Sequence, residues 1–176
     1  MKKFLKNFAI FVVVFLIGLI IFLPKTGLWF KLEEVIFKKD VVIHGETISS
    51  NPIFLNVENG EIITSGMSVA VFESAQILPL IFFNSISITN LTVGENMQQF
   101  KELSMDNLDI TYSIFQPKKI MLSGNGEFGT LKGRINFIEN TIDLLIFPTD
   151  KFKKVKIIMK HFKKIENGGY VYNARF

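Results

Sequence analysis

Residues 8–23 read FAIFVVVFLIGLIIFL, without one charged or hydrogen-bonding side chain, and that run constrains where the rest of the chain can fold. A helix rises ~1.5 Å per residue and needs about 20 mostly apolar residues to cross a hydrocarbon core of roughly 30 Å. The run is slightly short. Phe4 and Leu5 extend it if the amines of Lys2, Lys3 and Lys6 reach up to the headgroups on their long stems, and Pro24 closes it. The expectation is a transmembrane anchor with Phe8, Phe11, Val14, Phe15, Ile17, Leu19, Ile21 and Leu23 in lipid. A cleaved signal peptide is the alternative, because the same lysines make a basic n-region. The exit from the run, Phe22-Leu23-Pro24-Lys25, offers no pair of small residues to a signal peptidase, which favours an uncleaved anchor. The preceding lysines put the N-terminus in the cytoplasm by the positive-inside rule, and everything from Thr26 onward outside it.

Charge follows the same division. The formal net charge of +4 resides in Lys2, Lys3, Lys6 and Lys25, and beyond them basic residues balance the 16 acidic ones. The basicity is therefore a topogenic signal, and nucleic acid is not an expected partner. With no cysteine, disulfides and thiolate metal sites are excluded. The remaining ~150 residues suit one domain with a core of its own. The expected organisation is residues 1–25 as cytoplasmic lysines and single anchor, 26–39 as a juxtamembrane segment, and 40–176 as an extracytoplasmic β-rich domain.

The juxtamembrane stretch TGLWFKLEEVIFKK reads equally as a short helix or as extended chain. Trp29 and Phe30 lie one turn past the span, where amphipathic aromatics favour the membrane interface, and packing in the domain core is the competing reading.

From Asp40 the pattern becomes that of a sheet. Asn59-Gly60 sits between two β-like runs, a strong hairpin signal because a type I′ turn needs positive φ at both central residues. Residues 67–72 alternate as a half-buried strand should. Pro79 argues for an irregular or edge segment around SAQILPLIFF. Alternation then returns in Ile86 and Ile88, with Leu91 and Val93; in Leu108, Ile110, Tyr112 and Ile114; and in Ile120 and Leu122. Residues 95–103 form a short helix between these strands. Leu131, Ile135 and Phe137, then Ile142, Leu144 and Ile146, flank a turn near Glu139-Asn140. The polar positions between them are mainly Ser, Thr, Asn and Asp, so one face of the sheet is wet.

Thr149 or Asp150 is placed to cap a helix running to about Glu166. At 100° per residue Phe152, Val155, Ile158, Met159, Phe162 and Ile165 share one sector, with Lys153, Lys154, Lys156, Lys160, Lys163 and Lys164 opposite. That lysine face suits either attraction to anionic headgroups or a solvated surface against residues 26–149, which carry 14 acidic and 8 basic residues. Gly168-Gly169 ends the helix, and YVYNARF is a closing strand.

Motifs for chemistry are few. Gly124, Gly126 and Gly129 match G-x-G-x-x-G, but the following TLKGRINF reads as strand, whereas a dinucleotide fingerprint opens a helix. A Gly-rich hairpin connection explains the match. His44 and His161 lack the spacing of a metal site. The pairs Asp106/Asp109 and Glu33/Glu34 suit turn and exposed-strand duty better than acid–base work. There is no G-x-S-x-G elbow, so neither catalysis nor a cofactor is expected. Asn90-Leu-Thr92 fits a glycosylation sequon, relevant only in a pathway that reads it.

The order of these segments resembles a family. A short anchor, then ISSNPIFLNVENGEIITSGMSVAV, ISITNLTV, GEFGTLKGRINF, IDLLIFPTDKF and a terminal GGYVY, is similar to the bacterial type II secretion system protein N and its AsmA-like relatives. The resemblance implies a single-pass inner-membrane protein with a periplasmic domain and no catalysis. The implied fold is mainly β, an antiparallel, meandering, curved, taco-like sheet behind an N-terminal transmembrane helix, with one C-terminal amphipathic helix. Its concave face would carry Ile86, Ile88, Leu108, Ile110, Ile120, Leu122, Ile135, Phe137, Ile142 and Leu144, as either a closed core or an open groove. Two functions are implied. One is an accessory or structural component of an envelope assembly for protein transport, working through other envelope proteins by an exposed sheet edge or the anchor. The other is lipid transport, with phospholipid acyl chains on the concave face.

Overall fold

Alternating strands with short turns pair most readily with their sequence neighbours, and the central strands of the fold are built that way. The computed structural model describes residues 2–176, and all their side chains except those of Gln98, Gln99, Glu102, Lys154, Lys156 and Ile157. Two helices, α1 (Lys2–Ile21) and α2 (Lys25–Phe37), precede eleven strands. The strands are β1 (Val41–His44), β2 (Thr47–Ser50), β3 (Leu55–Thr64), β4 (Met67–Pro79), β5 (Phe83–Val93), β6 (Met105–Ser113), β7 (Lys119–Gly126), β8 (Gly129–Asn136), β9 (Thr141–Pro148), β10 (Lys163–Lys164) and β11 (Tyr170–Arg175). A 3₁₀ segment, Glu95–Leu103, joins β5 to β6. A 3₁₀ turn at Phe152–Lys154 leads into the single-turn α3 (Lys156–Met159).

All strands form one antiparallel sheet in the order β1-β3-β4-β5-β6-β7-β8-β9-β11-β10, with β2 also on β3. The sheet is curved and open. Its turns fall at two ends. Residues 51–54, 80–82, 114–118 and 137–140 and the C-terminus lie at one end. Residues 65–66, the 3₁₀ segment, residues 127–128 and the stretch after β9 lie at the other.

α1 is long and apolar enough to cross a membrane, and none of its residues is buried against the rest of the chain. After Ile21 the chain breaks at Pro24 and restarts as α2. The Lys25 ammonium, almost wholly buried, donates to the Ile20 carbonyl at 3.0 Å, satisfying one of the acceptors that a helix end leaves open. Because α2 is helical, Trp29 and Phe30 diverge by about 100°. Trp29 is 5% exposed and packs on Leu55, Val57, Phe72 and Ala75, so it is a core residue and not an interface anchor; Phe30 stays exposed.

Asn59-Gly60 is not a hairpin turn. β3 runs through it, and the hairpin to β4 turns at Ser65-Gly66, both with positive φ (50° and 74°) as a type I′ turn demands. Asn59, at φ 58°, is instead one of a row of irregularities. The ladders omit Asn59 opposite Glu73, Glu73 opposite Asn90, and Asn90 opposite Asp106, and Asn90 is also left-handed at φ 50°. Asn is the non-glycine residue that tolerates this conformation best. Each of these four strands therefore presents two successive residues outward, and the apolar face resumes beyond them with Gly60, Phe72, Leu91 and Met105. Concerted bulging of this kind bends the strands and keeps one face apolar along their whole length.

Pro79 does not interrupt β4, because it is the last residue of the strand, where no further ladder donor is needed. The C-terminal helix is present but far shorter than expected. Thr149 caps its approach by accepting from Phe152 N at 3.3 Å while donating to the Glu127 carbonyl at 2.7 Å. Helical structure then breaks at Val155 (ψ 75°), resumes for one turn, and yields to β10, which pairs with β11. Tertiary contacts override the 3.6-residue periodicity here: Phe152 drops fully buried beside Phe128, and Phe162 meets Tyr172 at a centroid distance of 5.5 Å.

Candidate functional site

Residues directly opposite in an antiparallel ladder share a face, so the register alone assembles the concave surface. One row crosses eight strands as Leu55, Ile77, Ile86, Ile110, Leu122, Gly133, Leu144 and Tyr172. Its neighbour on one side is Val57, Ala75, Ile88, Leu108, Gly124, Leu131, Ile146 and Tyr170. On the other side run Asn84, Tyr112, Ile120, Ile135, Ile142 and Ala174. The intervening rows, such as Gln76, Ser87, Asp109, Ser123, Lys132, Leu145 and Val171, are mainly polar and face the opposite side. There Asp143 accepts from Arg134 at 2.7 Å and from Asn173 at 2.6 Å, and those two donors hold its carboxyl below the ordinary range. The sequence-predicted apolar face is thus brought together at every named position except Phe137, which lies in the β8–β9 turn and is exposed.

Both ends of this surface are covered and its middle is not. α2 lies over the β3–β5 end, where Trp29 joins Leu55, Val57, Phe72 and Ala75, with Ile77 and Ile88 against them. At the β8–β11 end Phe128, Leu131, Ile146 and Phe152 form a second buried cluster, sealed by Leu103, Val155, Met159 and Phe162. Leu108, Ile110, Ile120, Leu122 and Ile135 belong to neither cluster and remain partly exposed. The result is an apolar trough. The uncovered stretch, from β6 to β8, spans two strand spacings, about 10 Å at ~4.8 Å each.

At the C-terminal end the trough opens into a cavity of about 530 Å³ lined by Met97, Phe100, Leu103, Leu144, Ile158, His161, Phe162 and Tyr172. A smaller cavity of about 130 Å³ lies under α2 between Leu28, Leu32, Leu55, Ile77 and Ile86. Gly133 keeps the floor low between them: a Cβ there would stand 2.8 Å from Leu144 Cδ2 and 3.1 Å from Leu122 Cβ. The contribution of the 3₁₀ segment was not foreseen from sequence. Its signal was three apolar residues, Met97, Phe100 and Leu103, in an otherwise polar run; all three line the cavity although the helical turns break at Met97 and Phe100.

The lysine face does not assemble as a single helical surface. Lys153 pairs with Asp150 at 2.9 Å, a contact that raises its pKa, Lys160 is exposed, and Lys163 sits in β10; the Lys156 side chain lies outside the described residues. Their apolar companions Phe152, Val155, Met159 and Phe162 all enter the second cluster. The G-x-G-x-x-G glycines flank the β7–β8 hairpin, where a Cβ on Gly129 would lie 2.0 Å from the Phe147 carbonyl oxygen, so tight chain approach accounts for them.

Behind the α2 cap, Glu33 is set against Glu46. Burial raises the Glu33 pKa above 4.5, and hydrogen bonding and like-charge repulsion from Glu46 add to the shift. The Trp29 indole N–H, near the carboxyl but outside hydrogen-bonding geometry, partly opposes it. A carboxyl whose pKa is raised on folding binds its proton more tightly when folded, so its contribution to stability grows as pH falls from neutral through the folded pKa toward 4.5. Glu33→Gln is expected to raise the midpoint of thermal unfolding at pH 7 and to flatten that gain, read by circular dichroism across the pH series. Below 4.5 the lowered pKa values of Glu34 and Asp143 work in the opposite direction and stability is lost.

Compared with known proteins, the chain matches no protein-family model, no curated protein and no solved structure.

Proposed function

We propose that this chain is a membrane-anchored, non-enzymatic lipid-binding protein. α1 holds the domain against a bilayer, and the trough shields the acyl chains of a phospholipid. Lys2, Lys3 and Lys6 in the first turns of α1 support an inner-membrane protein with a cytoplasmic N-terminus and a periplasmic domain. The observation that carries the reading is the uncovered apolar middle of the concave face, around Ile110 and Leu122, between two capped ends. An acyl chain spanning one leaflet needs about half of the roughly 30 Å core, and the uncovered stretch continues into the cavity beside Leu144 and Tyr172, which extends the apolar path. Apolar ligand sites of this kind have volumes of ~300–1,000 Å³ with few polar groups, a range that includes the cavity beside Tyr172.

A second reading is an accessory component of an envelope assembly, similar to type II secretion system protein N. α1, none of whose residues is buried, favours contact through the anchor. The sheet edges favour it less, because β1, β2 and β10 are short and β10 is Lys163-Lys164, features that discourage strand addition.

Native mass spectrometry of the full-length protein, gently extracted from its own membrane, separates the two. Stoichiometric phospholipid retained after detergent and loosely held lipid are stripped is the expected result. A lipid-free chain arriving with a second protein would replace the lipid reading with the accessory one.

A further inference from the structure

The two ends of the sheet differ in chemistry. At the far end the turns are made of Ser65-Gly66, Glu95-Asn96, Glu127 and Asp150-Lys151, all exposed, with Phe128 turned into the core. At the near end the β4–β5 turn exposes Ile81, Phe82 and Phe83, and the adjacent β6–β7 turn exposes Ile114 and Phe115. Phe115 is 81% exposed. The two turns are tied into one unit: Ile114 N and Ser113 Oγ both donate to the Phe82 carbonyl, and the Phe82 and Phe115 rings stack at 6.3 Å. Five large apolar side chains held together in water are costly, and a monomer exposing such a patch marks an interaction site.

The occupant follows from where α1 leaves the domain. Lys25, four residues past the end of α1, lines the same small cavity as Leu28, Leu55 and Pro79, the last residue before the β4–β5 turn. The apolar turns and the membrane span therefore issue from the same end of the sheet. Lys118 and Lys119 follow the β6–β7 turn and add positive charge beside the patch. Aromatic and aliphatic tips flanked by lysine suit the boundary between headgroups and acyl chains, particularly with anionic lipid.

We infer that the patch formed by Ile81, Phe82, Phe83, Ile114 and Phe115 inserts into the bilayer that α1 spans, standing the sheet on end with its trough open toward that membrane. In this posture a lipid tail reaches the trough from the bilayer along the strands, without crossing water. The inference rests on α1 as an anchor and is independent of lipid in the trough.

The chain has no cysteine, so single labels are clean. Full-length Phe115→Cys, Phe15→Cys and Ser65→Cys, each carrying an environment-sensitive fluorophore, are reconstituted in phosphatidylethanolamine–phosphatidylglycerol vesicles with a quencher on the acyl chains. The expected result is quenching at 15 and at 115, with the latter about 5–10 Å into the headgroup–acyl boundary, and none at 65. Phe82→Cys repeats the test on the neighbouring turn. Quenching at 15 with solvent-like emission at both 115 and 82 would overturn the docking and leave the anchor standing. No quenching at 15 would overturn the anchor, and the docking with it. Equal quenching at 65 and 115 would overturn the upright posture.

Discussion

On the lipid-binding reading, Ile110→Asp is expected to leave the domain folded and to abolish phospholipid binding. Ile110 belongs to neither buried cluster and is already partly exposed, so its loss forfeits only a fraction of the ~1.5–3 kcal/mol that full burial of such a side chain contributes. An acyl chain lying over it would instead strip water from a carboxylate. A desolvation penalty of about 3 kcal/mol, modest for an unpaired charge, corresponds to roughly a hundredfold weaker binding. Thr111→Asp is the matched control, because the next residue along β6 faces the polar side, and it should retain lipid. Native mass spectrometry reads lipid occupancy and circular dichroism reads the fold. Leu144→Asp makes the contrast: Leu144 packs against the second cluster, so that variant should lose stability as well as lipid. If Ile110→Asp unfolded the domain too, the middle of the trough would be part of a closed core and the lipid reading would fall.

Phe72→Ala should cost about 3–5 kcal/mol, a large share of the ~5–15 kcal/mol that holds a typical domain together. Phe72 is 3% exposed and lies over Gly60 on the neighbouring strand: a Cβ on Gly60 would be 2.1 Å from Phe72 Cζ. Gly60→Ala must therefore displace a ring that has nowhere to go, an overpacking cost of about 1–3 kcal/mol. The two changes should not add. With the ring removed, the new methyl group occupies part of its space, so the double variant is expected to be more stable than the sum of the singles. Trp29, the sole tryptophan, packs in the same cluster, so its fluorescence during denaturant unfolding of the detergent-solubilised full chain reads this region directly. Strict additivity would show that ring and glycine do not share the space.

Those glycine and asparagine positions show where a local reading succeeds and where it stops. The Asn59-Gly60 pair signals positive φ at both residues, and of the two only Asn59 has it. Whether such a residue turns the chain or bulges it is decided by its neighbours. Here Glu73 and Asn90 continue the irregularity on the adjoining strands, and Phe72 fills the room above Gly60. The trace in the sequence was the slip of the alternation between Ile88 and Leu91. Similarly, the periodicity at 152–165 is real, and Phe152, Val155, Ile158, Met159 and Phe162 join or pack against the second cluster, whereas Ile165 does not. Phe128 and Tyr172, remote in sequence, offered Phe152 and Phe162 better burial than a continuous helix could.

By itself the sequence determined the apolar helix at the N-terminus, the antiparallel strands and which of their faces is apolar. These follow from hydrophobic length and from a period of two, properties of the chain that need no distant partner. Only the tertiary structure decided that Trp29 is core and Phe30 is not, that the apolar face is capped at its ends and open in its middle, and that the aromatic turns share an end with α1. Each of those depends on which distant segments meet. Burial is gained between elements, and no local pattern of residues specifies the element that will cover it.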